Sequence, residues 1–215
     1  MDHLPINNDK EPIRLFESDF LETFTHISPV AVSAIWIPII VFFAARTFGW
    51  QAKALAPGLS VFAIVVGIFI WTISEYLLHR FLFHMPVHGK TMERIVFLFH
   101  GVHHTQPQGK TRLVMPPAIS LPLAAIFYGL FVLIFQYVLS GAGWVAPLFT
   151  GFSIGYLAYD LTHYATHHFP MRNGYLKYIK RYHMQHHYKT PNQRFGVTSP
   201  AWDWAFGTMP ADATD

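Results

Sequence analysis

Four apolar stretches, each close to the length that spans a bilayer, constrain this chain more than any other feature of its sequence. They are residues 28–45, 59–78, 117–139 and 144–159. A helix of about 20 apolar residues crosses the hydrocarbon core of a membrane. Only 13% of the residues are charged, too few to cover a water-soluble globule of this size. The sequence therefore predicts an all-α integral membrane protein with four transmembrane helices.

The chain divides into a polar N-terminal segment and one long membrane domain. Residues 1–27 lack the basic and then apolar pattern of a cleavable signal peptide. Residues 28–215 contain all four spans, and the stretches 79–116 and 160–215 are predicted to form a helical cap at one membrane face. A soluble bundle is excluded because too few amphipathic segments remain to cover four buried apolar helices.

Lysine and arginine are distributed unevenly around the predicted spans. Two precede the first span, five follow the second and six follow the fourth, whereas two lie between the first and second and none between the third and fourth. Since cytoplasmic loops carry the excess of basic residues, both termini and the cap are predicted to be cytoplasmic. The net charge of +3 is too small for a nucleic-acid-binding surface. No nucleic acid partner is expected.

Histidine is abundant, with 14 copies, and cysteine is absent. Eleven histidines form four clusters on the predicted cytoplasmic side: His79 and His84; His100, His103 and His104; His163, His167 and His168; and His183, His186 and His187. Side chains three or four residues apart share a helical face, so a cluster can aim several imidazoles at one point. Imidazole binds zinc, copper, iron and nickel. All except His168 are predicted ligands, and ten exceed the needs of one ion, so two metal ions with about five ligands each are expected.

The first cluster and the isolated histidines do not follow the spacing of three or four residues. His79 and His84 are five residues apart, so a helix end or a turn must separate them if both face one ion. His3 and His26 are predicted to be ordinary interface or helix-cap residues. His88 and His168 stay open between such a role and one near the metals.

Two carboxylates are placed where they could orient metal ligands. Asp160 precedes His163 by three residues and Glu75 precedes His79 by four. Each carboxylate shares a helical face with its histidine and could accept the hydrogen bond of the free ring N–H. The alternative for Glu75 is an ion pair with Arg80 or another base, and the alternative for Asp160 is solvation of a helix end.

An all-histidine site in a membrane protein fits two classes of function. A zinc transporter places polar ligands along the middle of its helices, where the ion must pass. A redox-active di-iron oxygenase instead needs a site open to oxygen and to a cytoplasmic reductant, with the substrate arriving from lipid. The histidine clusters lie at predicted helix ends and in loops, which favours the oxygenase.

The histidine clusters and their flanks resemble the fatty acid hydroxylase/sterol desaturase superfamily, and within it the fatty acid 2-hydroxylase branch. The matching segments are EYLLHRFLFH at 75–84, HGVHH at 100–104, RLVMPP at 112–117, YDLTHYATHH at 159–168, HMQHHYK at 183–189, FGVTS at 195–199, WD at 202–203 and FGT at 206–208. The similarity covers roughly residues 70 to 208. Jointly these motifs are specific, although a single His-x-x-His-His is shared with desaturases.

The resemblance implies a reaction and its cofactors. It implies oxygen-dependent insertion of a hydroxyl group next to the acyl carboxyl carbon of a lipid or fatty acid in the membrane. The ten histidines would bind two iron ions, for which zinc could substitute in purified protein, with Asp160 nearby and His168 and Glu75 supporting the ligands. A sterol or carotenoid oxidase or desaturase of the same superfamily is the alternative.

The resemblance also implies a separate source of electrons. Eukaryotic family members commonly carry an N-terminal haem domain, and only 27 residues precede the first span here. We therefore expect a separate donor, such as a cytochrome b-type protein or a ferredoxin, and a bacterial inner membrane as the location.

The segment 107–111 lacks an acidic residue often found there in the family. Arg112 and Lys189 are candidates to hold a substrate carboxylate or a lipid headgroup.

Overall fold

The computed structural model describes residues 5–9, 11–49 and 55–210, and all regular secondary structure in this part of the chain is helical. The α-helices are α1 Asp19–Thr23, α2 Pro29–Phe48, α3 Pro57–Leu77, α4 Lys90–Val96, α5 Val102–Thr105, α6 Pro117–Phe131, α7 Val145–His168, α8 Gly174–Tyr188 and α9 Ala201–Ala205. Wider π-helical turns at Leu78–Phe83, Phe97–Gly101 and Val132–Val138 follow α3, α4 and α6, and a short 3₁₀ turn, Ala142–Trp144, precedes α7. His3, Lys10 and Lys53, which entered the sequence predictions, lie outside the described residues.

Three helices are long and apolar enough to cross a membrane. They are Pro29–Phe48, Pro57–Phe83 and Pro117–Val138, with mean hydropathies of 1.9, 2.1 and 2.4. They coincide with the first three predicted spans, so the chain is a multi-pass membrane protein. The fourth predicted span lies within α7, which is not among the three because polar residues, including Asp160, interrupt its apolar character.

The chain separates into two compact units. The span unit comprises residues 27–72 and 115–158, and the histidine unit comprises the described residues of 1–26, 73–114 and 159–215. In the span unit, α3 and α7 approach closely at two glycines. A Cβ atom at Gly67 would collide with the carbonyl oxygen of Leu148, and one at Gly151 with that of Ile64. Small residues let membrane helices pack this closely.

In the histidine unit, the N-terminal segment is tied to the residues that follow the second histidine cluster. The backbone N–H of Asn7 donates to the carbonyl oxygen of Thr105 at 2.7 Å. The Gln106 side chain accepts from the N–H of Ile13 at 2.8 Å and donates to the carbonyl oxygen of Glu11 at 3.0 Å. The described residues of the N-terminal segment are therefore attached to the histidine unit by hydrogen bonds.

Glu22 is the centre of this attachment. Its carboxylate accepts hydrogen bonds from the backbone N–H groups of Leu15 and Phe16 at 3.0 and 2.9 Å and forms an ion pair with Arg112. Only 7% of the Arg112 side chain is exposed, so this arginine is engaged within the protein and is not free to hold a headgroup. His26 lies 2.7 Å from the Thr111 hydroxyl. Glu22 thus provides, from the N-terminal segment, an acidic partner for Arg112.

We expect Glu22→Gln to lower the free energy of unfolding by about 1.5–3 kcal/mol, the size of a hydrogen bond to a charged group. Burial raises the pKa of Glu22, but the Phe16 and Leu15 N–H groups and Arg112 outweigh it and hold the pKa below the ordinary value. The stabilisation is therefore present at neutral pH and is lost as the pH falls through the lowered pKa. Thermal unfolding in detergent across a pH series measures this. The exposed Glu17→Gln is the control, and equal effects of both variants would contradict the prediction.

Candidate metal centre

Two groups of five buried histidines lie in the histidine unit, and within each group the ligand nitrogens are within 4.8 Å of one another. Group 1 contains His79, His84, His100, His104 and His186, and group 2 contains His103, His163, His167, His183 and His187. Among the described histidines, these ten are the same ten that the sequence singled out as ligands. The protein fold brings them together in two sites of equal size.

Helix geometry explains why single clusters divide between the two groups. The sequence predicted that each cluster would aim at one point, but His100 and His104 belong to group 1 while His103 belongs to group 2. At about 100° per residue, positions four apart differ by only about 40° around a helix, whereas consecutive positions differ by about 100°. On α8 the same rule separates His186 from the other two members of its cluster.

A wide turn solves the spacing problem of His79 and His84. The segment Leu78–Phe83 continues α3 as a π-helix, and the N–H of His84 donates to the carbonyl oxygen of His79 at 3.1 Å. This bond joins residues five apart, as π-helical turns do, and such turns are frequent at functional sites. Both rings therefore enter group 1. The sequence required a turn or a helix end at this place without specifying which.

The distances between Nε2 atoms fit a shared metal ion. In group 1, the Nε2 of His104 lies 3.1 Å from that of His84, 3.1 Å from that of His100 and 3.2 Å from that of His186. One neutral imidazole nitrogen carries either one hydrogen or one lone pair, so it cannot bond to three others at once. Two nitrogens about 2.1 Å from one ion and at right angles are about 3.0 Å apart. The spacing is therefore that of ligands around a five- or six-coordinate ion.

The nitrogen atoms of group 2 have the same spacing as those of group 1, and burial keeps its rings neutral. The Nε2 atoms of His103 and His163 are 2.9 Å apart, as are those of His167 and His183. Burial, reinforced by the neighbouring imidazoles, lowers the pKa of His103 and of His183 well below the ordinary value. Neutral rings keep the lone pair that a metal requires. The rings are thus suited to bind cations and unsuited to carry protons.

Backbone carbonyl groups orient two ligands of group 1. The Nδ1 of His79 lies 2.5 Å from the carbonyl oxygen of Phe195, and that of His186 lies 2.6 Å from the carbonyl oxygen of Gln193. A carbonyl oxygen only accepts, so each Nδ1 carries the hydrogen and each Nε2 presents its lone pair to the group. The loop 193–195 therefore fixes both rings.

The sequence predicted that Glu75 supports His79, and the structure places its carboxylate against the loop that follows Phe195. Its carboxylate accepts from the backbone N–H of Val197 at 2.8 Å, and from the backbone N–H and hydroxyl of Thr198 at 2.7 and 2.6 Å. The His79 ring already uses Nδ1 for the loop carbonyl and directs Nε2 at His100. Glu75 thus acts on the ligands indirectly, through the loop that orients them.

Asp203 holds the same loop from the other side. This carboxylate is 0% exposed and accepts from the N–H groups of Phe195 and Gly196 at 2.8 and 2.7 Å and from the Thr208 hydroxyl at 2.7 Å. Burial raises its pKa, opposed by these hydrogen bonds. The sequence analysis assigned no role to Asp203, although FGVTS at 195–199 and WD at 202–203 marked the segment as part of the family pattern.

Of the remaining predicted site residues, Asp160 lies close to a ligand, whereas His168 and His88 belong to neither group. Asp160 is 1% exposed and lies on α7, one turn before His163. His168 belongs to neither group; its ring packs on Tyr164 with centroids 4.6 Å apart. The exposed His88 also lies outside both groups. The geometry keeps Asp160 as a candidate to orient His163 and gives His168 no ligand position.

Bilayer-length helices combined with two buried groups of converging imidazoles define a class of histidine-rich membrane proteins suited to bind metal. Comparison with known families makes the assignment specific: the family model for Fatty acid hydroxylase matches residues 64–208. The chain belongs to the fatty acid hydroxylase family.

Individual relatives agree with this assignment. The chain is 37% identical to the dihydroceramide fatty acyl 2-hydroxylase FAH1 of Arabidopsis thaliana, over 97% of this chain and 84% of that protein. It is 37% identical to the ceramide very long chain fatty acid hydroxylase scs7 of Schizosaccharomyces pombe, over 88% of this chain and 53% of that one. It is 34% identical to the fatty acid 2-hydroxylase of Rattus norvegicus, over 99% and 60%. The chain therefore spans little more than half of the yeast and rat proteins.

A solved structure shares the fold. It is described as full-length scs7p with only the hydroxylase domain visible, and it superimposes with a TM-score of 0.81 at 36% sequence identity. The match covers 92% of this chain and 72% of the other. Since both the sequence and the three-dimensional match are high, the helical architecture described above is that of the family.

Proposed function

We propose that the protein is an oxygen-dependent dimetal hydroxylase that adds a hydroxyl group at carbon 2 of a fatty acyl chain, either free or carried by a sphingolipid or another lipid. The observation that carries the proposal is the pair of five-histidine groups in a chain of this family. Relatives named fatty acid 2-hydroxylase and dihydroceramide fatty acyl 2-hydroxylase support the position of attack. The balanced reaction consumes the acyl chain, one O₂, two electrons and two protons, and yields the 2-hydroxyacyl chain and water.

The protein residues would prepare the site for this chemistry. Groups 1 and 2 would each hold one ion, which we propose to be iron, and the bound pair would supply oxygen activation and hydrogen abstraction. Phe83 stacks on His100 with ring centroids 5.3 Å apart, and Phe195 lies 5.4 Å from His84. These rings exclude water from group 1. The loop carbonyl oxygens of residues 193 and 195 keep the ligand lone pairs directed inward.

The location of His79 supports attack near the carboxyl end of the substrate. His79, a member of group 1, lies in the last turns of the span Pro57–Phe83. This ligand is therefore placed at the end of a membrane helix and not at its middle. An acyl chain in a bilayer keeps its carboxyl end at the interface and its tail in the hydrocarbon core. Carbon 2 therefore reaches such a site more readily than a mid-chain carbon, which favours 2-hydroxylation over mid-chain desaturation.

The function is tested by the product. The purified protein, loaded with iron in lipid nanodiscs, is supplied with a saturated ceramide or fatty acid, ¹⁸O₂ and a reduced electron donor. We expect one labelled oxygen atom beside the carbonyl carbon, located by fragmentation mass spectrometry. A chain that loses two hydrogens at mid-chain, or oxidation only of an added sterol or carotenoid, would overturn the proposal.

We further propose that α7 is a fourth span and that the histidine unit is a cytoplasmic cap. The apolar residues of 144–159 and the charge distribution support this topology. The bacterial inner membrane predicted from the sequence gains no support from the relatives named above, which are eukaryotic.

Single cysteines test the topology cleanly because the chain has none of its own. In intact cells, Gln108→Cys and Asn173→Cys are expected to resist a membrane-impermeant thiol reagent, while Ser140→Cys, at an exposed position between the third and fourth predicted spans, is expected to react. Permeabilised cells provide the control in which all three label. The opposite pattern in intact cells would invert the topology.

Asp160→Asn is expected to preserve the fold and to lower metal retention or turnover by about 10–100-fold, the usual effect of losing a group that orients a ligand. Asparagine keeps the size of the side chain and removes the charge that would polarise the His163 ring. Metal analysis, turnover and thermal unfolding are measured on the same preparation. Unchanged metal content and turnover would reduce Asp160 to a helix-end residue.

A further inference from the structure

Helix α8 has two chemically different faces. Ile179 and the three histidines of α8 are buried, and the histidines serve both metal groups. Lys177, Arg181 and Tyr188 are exposed. At about 100° per residue these three lie within about 40° of one another, on the side of the helix opposite Ile179 and His186. One side of α8 therefore carries ligands, and the other carries positive charge in contact with solvent.

The charge on this outer side has no compensation nearby in the sequence. Residues 161–202 contain six Lys and Arg and no Asp or Glu. Two of the six are used internally: Lys180 donates to the carbonyl oxygen of Thr166, and Arg194 is buried with its guanidinium 5.2 Å from the Tyr182 ring centroid. The other four are exposed and define the basic face: Lys177 and Arg181 on the outer side of α8, and Arg172 and Lys189 just before and just after the helix.

Two other arginines of the histidine unit have acidic partners, unlike the residues of the basic face. Arg14 pairs with Asp19, and Arg112 pairs with Glu22. Within the described part of the chain, no ion pair involves a residue of the basic face. A positive surface without internal partners attracts a partner of opposite charge and accelerates its association.

The basic face is also close to both metal groups. A helix with its side chains is about 10–12 Å across, and α8 contributes His186 to group 1 and His183 and His187 to group 2. A molecule seated on the outer side of α8 is therefore separated from ligands of both groups by about one helix diameter. The exposed Tyr188 lies on the same side of α8 as Lys177 and Arg181, and Tyr and Arg are enriched in protein interfaces.

We propose that the basic face is the docking surface for an acidic, one-electron carrier protein. The proposal rests on the proposed function, because the reaction consumes two electrons that must reach the metal groups from a donor. A helix that binds a membrane surface inserts its apolar side into lipid, but the apolar side of α8 is buried among the histidines. This favours a protein partner over an anionic membrane.

The test compares Lys177→Glu/Arg181→Glu with the parent, using full-length protein in nanodiscs of uncharged phosphatidylcholine. The probes are an oxidised plant-type ferredoxin and an oxidised acidic cytochrome b-type protein. We expect the variant to weaken the binding of at least one carrier by about tenfold or more at low salt, and high salt to remove the difference. Lys90→Glu/Lys110→Glu, which changes the net charge equally at two exposed positions outside the basic face, is the matched control and is expected to bind like the parent.

Turnover separates this proposal from the proposed function. With the carrier as donor, the variant is expected to lose kcat/KM in proportion to binding, while dithionite-driven turnover and metal content stay at the parent level. Equal loss with both donors, or no difference in carrier binding between the variant and the parent, would overturn the docking surface and leave the hydroxylase assignment standing. A defect confined to nanodiscs with anionic lipid would identify the face as a membrane contact instead. Carrier binding without product from either donor would contradict the hydroxylase assignment alone.

Discussion

His103→Ala is expected to remove one of two metal ions and to reduce hydroxylation by more than about 100-fold. The Nε2 of His103 lies 2.9 Å from that of His163, and its ring centroid is 4.7 Å from that of His167 and 4.5 Å from that of His187. Alanine leaves group 2 with four ligands and a buried gap. Since losing a group that merely orients a ligand costs about 10–100-fold, losing the ligand itself costs more.

Metal analysis and turnover on the same folded preparation measure this effect. The matched control is His88→Ala, an exposed histidine outside both groups, which is expected to keep both ions and full activity. Retention of two ions by His103→Ala, or a parent protein that binds one ion or none when correctly folded, would contradict the assignment of two five-ligand sites.

Asp203→Ala is expected to destabilise the protein by about 3–5 kcal/mol and to weaken metal binding at group 1. The substitution leaves the N–H groups of Phe195 and Gly196 and the Thr208 hydroxyl without their buried acceptor, and each unsatisfied group costs about 1–3 kcal/mol. The loop then releases the carbonyl oxygen that orients His79. Thermal unfolding and stepwise metal removal with a chelator measure both effects.

The exposed Asp19→Ala is the control for Asp203→Ala. The Asp19 side chain is 91% exposed and pairs with Arg14 at the surface, where an ion pair contributes little. We expect group 1 to lose its ion before group 2 in Asp203→Ala, whereas Asp19→Ala resembles the parent. Simultaneous loss of both ions at the parent's chelator concentration would show that Asp203 does not act through the loop.

Local patterns were enough to predict the spans and the ligand candidates. Hydropathy over about 20 residues depends only on the segment itself, and it located the helices that the structure places at Pro29–Phe48, Pro57–Phe83 and Pro117–Val138. Clusters such as His100 to His104 are visible because ligands on one helix repeat at short spacing. The same dependence on local hydropathy explains why α7, in which apolar and polar residues are mixed, is not among the three helices apolar enough to cross a membrane.

The grouping of the ligands and their support depended on contacts that no local pattern contains. His79 is fixed by the carbonyl oxygen of a residue 116 positions away, and Glu22 pairs with an arginine 90 positions away. Glu75 shares a helical face with His79, yet its carboxylate binds the backbone of residues 197–198. The sequence by itself determined three helices that are long and apolar enough to cross a membrane and the ten imidazoles that are candidates to bind metal. Only the tertiary structure decided which imidazoles share an ion and what holds them, because those partners meet only when distant segments pack together.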